Sequence, residues 1–142
     1  GYINNPRKGT ICALPGSNVI EFNHGKWRLL DVYATTPRSN MSAGTTHLWY
    51  EGIPVWMMQY MGEYQEEAIP TLKLALSRAY AASEWHGGRG IAFFAHGLHV
   101  YENNVDPGSA FAGKSSGEEF IMRRCGEGGL LGWHRYQSLW LW

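Results

Sequence analysis

The sequence predicts an α+β fold: an antiparallel β-sheet from two pseudo-repeated four-strand halves, joined by one α-helix. Three observations carry this expectation. Helical spacing is convincing only once, over residues 66–85. The text on both sides is strand-like and broken by glycine-bearing turns. The two flanks also resemble each other. Val19, Phe22, His24 and Gly25 align at constant offset with Ile91, Phe94, His96 and Gly97. After one-residue insertions, Gly44, Leu48, Trp49 and Gly52 meet Gly117, Ile121, Met122 and Gly126, and Tyr60 meets Tyr136. Units that cannot bury their own faces pair with each other, so the expected organisation is one domain, 1–142, with β halves at 18–62 and 90–136 and the helix between them.

Residues 1–17 are rich in Gly, Pro and Asn without periodicity and read as an irregular leader. Segments 18–22 and 26–33 flank Asn23-His24-Gly25, a hairpin signal because glycine supplies the positive φ of a tight turn. Residues 34–43 read as a loop, and 45–50 with 53–60 as a second hairpin about Glu51-Gly52. In the helix, Glu66 and Glu67 suit the positive end of the dipole and Pro70 is tolerable in the first turn. Ile69, Leu72, Leu76, Ala79 and Tyr80 form an apolar stripe expected to cover one face of the sheet, and Gly87-Gly88 is a stop. Strand text resumes at 91–95, 98–103, 118–124 and 130–136, with a turn at Asp106-Pro107-Gly108. The apolar tail, residues 139–142, needs a docking surface.

Charge and composition exclude several classes. Lys plus Arg equals Asp plus Glu, twelve each, so no basic excess supports nucleic-acid binding. No apolar run reaches the roughly 18 residues of a membrane helix, and no signal peptide is visible. Cys12 and Cys125 make no disulfide framework and have no metal-ligand spacing, which fits two thiols in a reducing cytoplasm. Aromatic residues are 14% of the chain, more than a small core requires, so some of them are expected to line a pocket or an interface.

The run Trp49-Tyr50-Glu51-Gly52-Ile53-Pro54-Val55-Trp56-Met57-Met58-Gln59-Tyr60-Met61-Gly62 resembles the W-x-x-G-x-P-V-W-x-M-x-Y-x-G signature of an uncharacterised bacterial domain family of unknown function, whose members sometimes follow a helix-turn-helix domain. The resemblance extends over roughly residues 15–136 and includes Phe111-Ala112-Gly113 and Gly117-Glu118-Glu119. It departs at Thr45-Thr46, where the family carries acidic residues. The resemblance implies a fold and no chemistry.

Residues 108–115 match G-x-x-x-x-G-K-[ST], and residues 113–117 match G-x-S-x-G. A phosphate loop needs a strand before it, a helix after it and a parallel sheet. A nucleophile elbow needs a similar strand-to-helix turn. Neither context is expected here, and acidic Glu118-Glu119 follow, so a flexible Gly/Ser loop is the reading. His96 and His99, three apart, are expected on opposite faces of a strand. His24 and His96 are explained as turn residues, with a pseudo-twofold able to bring them together.

Both faces of the strand around Trp56 are apolar, as a strand buried on both sides or lining a cavity or dimer interface would be. The leading functional expectation is a small-molecule-binding or sensory module without catalysis. Its ligand site would comprise Trp49, Trp56, Met58, Tyr60 and residues of the helix stripe, with Glu119 as the polar end. No catalytic residue, metal or cofactor is expected. The partners expected are a small organic ligand and a second copy of the chain, with no nucleic acid and no membrane. The alternatives are an enzyme using Glu118, Glu119 and the turn histidines as acid/base groups, or an interaction protein working through an aromatic surface.

Overall fold

Two-residue turns set the strand register. Gly25 (φ 55°) and Gly97 (φ 57°) open the turns after His24 and His96, and Glu51 (φ 50°) with Gly52 (φ 80°) form a third turn with both central residues left-handed. Such turns match the twist of the strands they join. The computed structural model describes residues 7–82, 86–108, 113–124 and 129–141. Its strands are β1 Arg7–Gly9, β2 Ser17–His24, β3 Trp27–Thr36, β4 Ser39–Tyr50, β5 Ile53–Tyr64, β6 Phe93–His96, β7 His99–Val105, β8 Lys114–Arg123 and β9 Leu130–Trp140. They form one antiparallel sheet in the order β1-β2-β3-β4-β5-β9-β8-β7-β6. The α+β antiparallel expectation therefore holds.

Several boundaries differ from expectation. Arg7–Gly9, within the supposed leader, pairs with β2 through Arg7↔Glu21. The expected loop at 34–43 is mostly ladder, since β3 and β4 pair from Trp27↔Tyr50 to Thr36↔Ser39. A hairpin can continue whenever its alternation suits both faces, and Ala34, Ala43 and Ser42 are small enough not to object. Lys114 and Ser115, assigned to a Gly/Ser loop, lie in β8 opposite Leu139 and Ser138. The apolar tail docks by extending β9, with Trp140 paired to Trp56. Gly126, Phe111, Ala112, Cys125, Trp142 and residues 83–85 lie outside the described residues.

A turn of 3₁₀ helix, Glu66–Ala68, leads into α1, Ile69–Ala82. Its deepest residues are Ala68, Thr71, Ala75 and Ala79, spaced three or four apart. These small side chains let the axis approach the sheet closely, while the larger Leu72 and Leu76 of the expected stripe flank the contact half-buried. Tyr80's side chain is outside the described residues. The helix lies against β6 and β7. It shares a core with Tyr64, Phe94, Tyr101, Ile121 and Leu131. We call the covered side of the sheet the inner face.

Candidate functional site

Period-two alternation and the register fix which residues share the inner face. Tyr60 and Tyr136 stand directly opposite each other where β5 meets β9. Each tyrosine also faces a glycine on its other neighbour, Gly44 for Tyr60 and Gly117 for Tyr136. A Cβ at either glycine would come within 2.6 Å of the facing phenolic oxygen. The rings thus cross a strand that only glycine leaves open. Tyr60 Oη donates to Asp31 Oδ1 at 2.9 Å, and Tyr136 Oη donates to Asn103 Oδ1 at 2.7 Å.

Beyond this pair, the two sides differ. On the α1 side, Asn103 Nδ2 donates to the carbonyl oxygens of His86 (2.8 Å) and Gly90 (3.4 Å), pinning the segment after the helix onto the sheet. Gly87 (φ 66°) and Gly88 (φ 84°) give that segment the bends that deliver Arg89 into the interior. Arg89 is 8% exposed and Glu119 0%. Arg89 Nε donates to Glu119 Oε2, and the guanidinium sits 4.7 Å from the Tyr60 ring centroid. Glu119 also accepts hydrogen bonds from the hydroxyls of Tyr101 and Tyr64. Burial, then the neighbouring Glu119 charge, raises the pKa of both tyrosines, so they remain donors.

Ser42, His134 and Glu119 are strung in the order of a nucleophile, base and acid. Ser42 Oγ is 3.1 Å from His134 Nε2, and His134 Nδ1 is 3.9 Å from Glu119 Oε2. The resemblance ends at Arg89, whose Nη2 is 3.1 Å from His134 Nδ1. A guanidinium only donates. Nδ1 must therefore accept, and the proton resides on Nε2, aimed at Ser42. A general base for serine needs that nitrogen bare and Nδ1–H directed at the acid. Burial, then the Arg89 charge, pushes His134 down to about 3, so the imidazole stays neutral in the wrong tautomer for hydrolysis. The cluster is a buried, satisfied polar network, and no buried side-chain polar atom among the described residues lacks a partner.

On the other side of Tyr60, Asp31 Oδ1 accepts from both Tyr60 and Thr46, each at 2.9 Å. No described residue donates to Oδ2. Burial raises the Asp31 pKa; the hydrogen bonds from Tyr60 and Thr46 and the charge of Arg89 oppose that rise. Its inner-face neighbours by register are Ile20, Thr46, Leu29 and Tyr33, with Phe22 and Leu48 beyond. All of these but Thr46 are half-exposed.

Of the residues expected at the site, Trp56, Met58, Tyr60 and Glu119 share the inner face. Met58 and Tyr60 are buried with Tyr136, and Tyr33 and Trp56 pack beside them. Trp49 is on the outer face, where it stacks with His47 (5.6 Å) and carries Arg28 (5.2 Å). The helix stripe lies over β6 and β7 rather than beside Trp56. Glu118 is on the outer face in an ion pair with Arg135 at 2.8 Å. His24 and His96 are on β2 and β6, at opposite flanks of the sheet, so no twofold brings them together. His96 and His99, expected on opposite faces, are directly opposed across a turn, and both reach Thr71 Oγ1. The hairpin reverses the chain between them, so along-strand alternation does not apply. Among the described residues, no group of three or more His, Cys, Asp or Glu could hold a metal ion, and no helix is long and apolar enough to cross a membrane.

Sequence reasoning missed Asp31, Arg89, Asn103, Tyr101 and His134. Two signals were present: a lone acid within Leu29-Leu30-Asp31-Val32-Tyr33, and an arginine set among the glycines of Gly87-Gly88-Arg89-Gly90. An open groove of about 490 Å³ passes beneath residues 13–17, floored chiefly by Val32, Ala34, Ala43, Thr45, Gln59 and Met61 and bordered by Tyr33, Gly44 and Tyr60. No family model, curated protein or solved structure matches this chain.

Proposed function

We propose that the chain is a small-molecule-binding module without catalysis, and that its ligand lies on the inner face against Trp56, Met58, Tyr60 and Asp31. The observation carrying this reading is the unequal finish of two similar surfaces. Over β7 and β8, α1 and Arg89 fill the face. Over β2, β3 and β4, Ile20, Phe22, Leu29 and Leu48 stay half-exposed around a carboxylate. Half-exposed apolar groups around one orienting polar group are the usual composition of a ligand site.

We also propose that the two surfaces descend from one repeated unit. Its support is a set of paired features. Both sets of four strands are meanders. Both have a tyrosine over a glycine, bonded to Asp31 or Asn103. Both carry a stacked Phe–His pair, Phe22–His24 at 6.3 Å and Phe94–His96 at 6.2 Å. Both have a register shift after the aligned residues Leu48 and Ile121. Catalysis is disfavoured because the Ser42–His134–Glu119 string holds the wrong tautomer and Glu119 is fully buried. The resembled family's occasional place behind a DNA-binding domain supports a sensory output.

The test is a screen of apolar and cationic small molecules by tryptophan fluorescence. Hits should weaken in Trp56→Ala and Tyr60→Phe. Hits unaffected by both substitutions would place the ligand elsewhere. An interaction role has one specific support: edge strand β6 and its turn expose Phe93 and Leu98, 59% and 64% accessible, a surface suited to a second copy. Concentration-dependent sedimentation, abolished by Phe93→Lys, checks it.

A further inference from the structure

We infer that the ligand of the inner face is a small organic cation, an ammonium or amidinium on an apolar body, held by the Asp31 carboxylate. This deepens the proposed function and rests on it.

The protein itself shows what complements this position. Asn103 and Asp31 each accept a tyrosine hydroxyl on one oxygen. The second atom of Asn103 is a donor, Nδ2, and what covers it is a pair of acceptors, the carbonyl oxygens of His86 and Gly90. The second atom of Asp31 is an acceptor, Oδ2, to which no described residue donates. The occupant above Asp31 must therefore have the opposite polarity to the segment above Asn103 and bring N–H donors.

Charge gives the same answer independently. Among the described residues, three groups around Tyr60 are ionisable with formal charge: Asp31, Arg89 and Glu119. Arg89 is paired with Glu119, and His134 is held neutral between Arg89 and Ser42. One negative charge is left over, on a carboxylate that burial disfavours. An incoming cation neutralises it in a setting partly removed from water, where a charge-assisted hydrogen bond is stronger than in solution. An anion would meet that carboxylate, and a neutral ligand would leave it uncompensated. The rest of the surface, Ile20, Phe22, Leu29, Leu48 and the Trp56 ring, is apolar and aromatic, so the cation needs a hydrocarbon or aryl body to cover it. A doubly charged polyamine would leave its second charge without a partner there.

The probes are phenethylamine and benzamidine, with phenylethanol as the neutral analogue and phenylacetate as the anionic one, titrated calorimetrically against the intact chain. The amines should bind roughly tenfold or more tighter than phenylethanol, and phenylacetate weakest. Asp31→Asn should remove that preference, bringing amine affinity down to the level of phenylethanol in the same variant, and Trp56→Ala should weaken all probes that bind. If Asp31→Asn unfolds the chain, the unaltered protein decides: amine affinity should fall with rising salt while phenylethanol affinity does not. Amines and phenylethanol binding equally, both weakened by Trp56→Ala, would overturn the cation inference and leave the binding role standing. Binding of none of the probes would remove the inference, and a wider screen without hits would remove the binding role as well.

Discussion

Replacing Glu119 by Gln is the perturbation that most directly tests the buried network. The side chain keeps its size, so packing is conserved and only charge and hydrogen-bond polarity change. Arg89, 8% exposed, would lose its ion pair with Glu119 and stay buried against the Tyr60 ring. The hydroxyls of Tyr101 and Tyr64, which donate to Glu119, would share one amide oxygen in place of two carboxylate oxygens. Removing one partner of a buried ion pair costs about 3–5 kcal/mol, because the remaining charge is uncompensated. That is a large share of the roughly 5–15 kcal/mol that holds a domain folded. For a chain of this length the melting temperature should fall by about 10–15 °C. Urea denaturation should move its midpoint at constant m-value. A companion variant, Arg89→Met with Glu119→Leu, removes both charges and should recover part of the loss, since apolar pairs replace buried ion pairs with little penalty. A Glu119→Gln protein within about 1 kcal/mol of its parent, the ordinary effect of an unremarkable substitution, would show that the pair is not buried as described.

His134 offers a test in pH. Its folded-state pKa is depressed from 6.5 to about 3, so on acidification the unfolded chain takes up the proton first. The stability associated with a neutral His134 is complete above pH 6.5 and drains away between 6.5 and about 3, at about 1.4 kcal/mol per pH unit. The parent should therefore lose stability over that window more steeply than His134→Gln, and the His134 ring protons should not shift in NMR spectra above pH 4 (about one unit over the folded pKa). A third expectation concerns the aromatic crossing. Gly44→Ala places a Cβ 2.6 Å from Tyr60 Oη and 2.7 Å from Tyr33 Cβ, and should cost about 1–3 kcal/mol as overpacking. Gly117→Ala should cost at least as much, since its Cβ would meet the Asn104 carbonyl oxygen at 2.5 Å as well as Tyr136 Oη at 2.6 Å, and chemical denaturation of both variants checks it.

Local chemistry was enough to read most element types, though not β1, read as a leader, nor the strand residues within 34–43, read as a loop. Alternation, β-branched and aromatic runs and glycine turns produced the hairpins around Gly25, Gly52 and Gly97, because a two-residue turn and its register are decided within about ten residues. The helix was legible for the same reason. Its buried face was read less well: of the expected stripe Ala79 is buried but Leu72 and Leu76 are only half-buried, whereas close approach to β6 and β7 also selects the small Thr71 and Ala75. Trp56, Met58, Tyr60 and Glu119 share a face as their strand positions allowed, and Trp49 does not, since a one-residue step and a bulge after Leu48 turn it outward. Tertiary structure alone decided that Arg89 enters the interior and that Asp31 lies beside Tyr60 twenty-nine residues away. The first depends on how β5, β9 and β8 pair and the second on the β3–β4–β5 ladder, and no local period encodes either. Whether a polar residue is a spent member of a network, like Glu119, or has an atom still to offer, like Asp31 Oδ2, depends on partners that the sequence lists far apart and only the folded sheet brings within 3 Å.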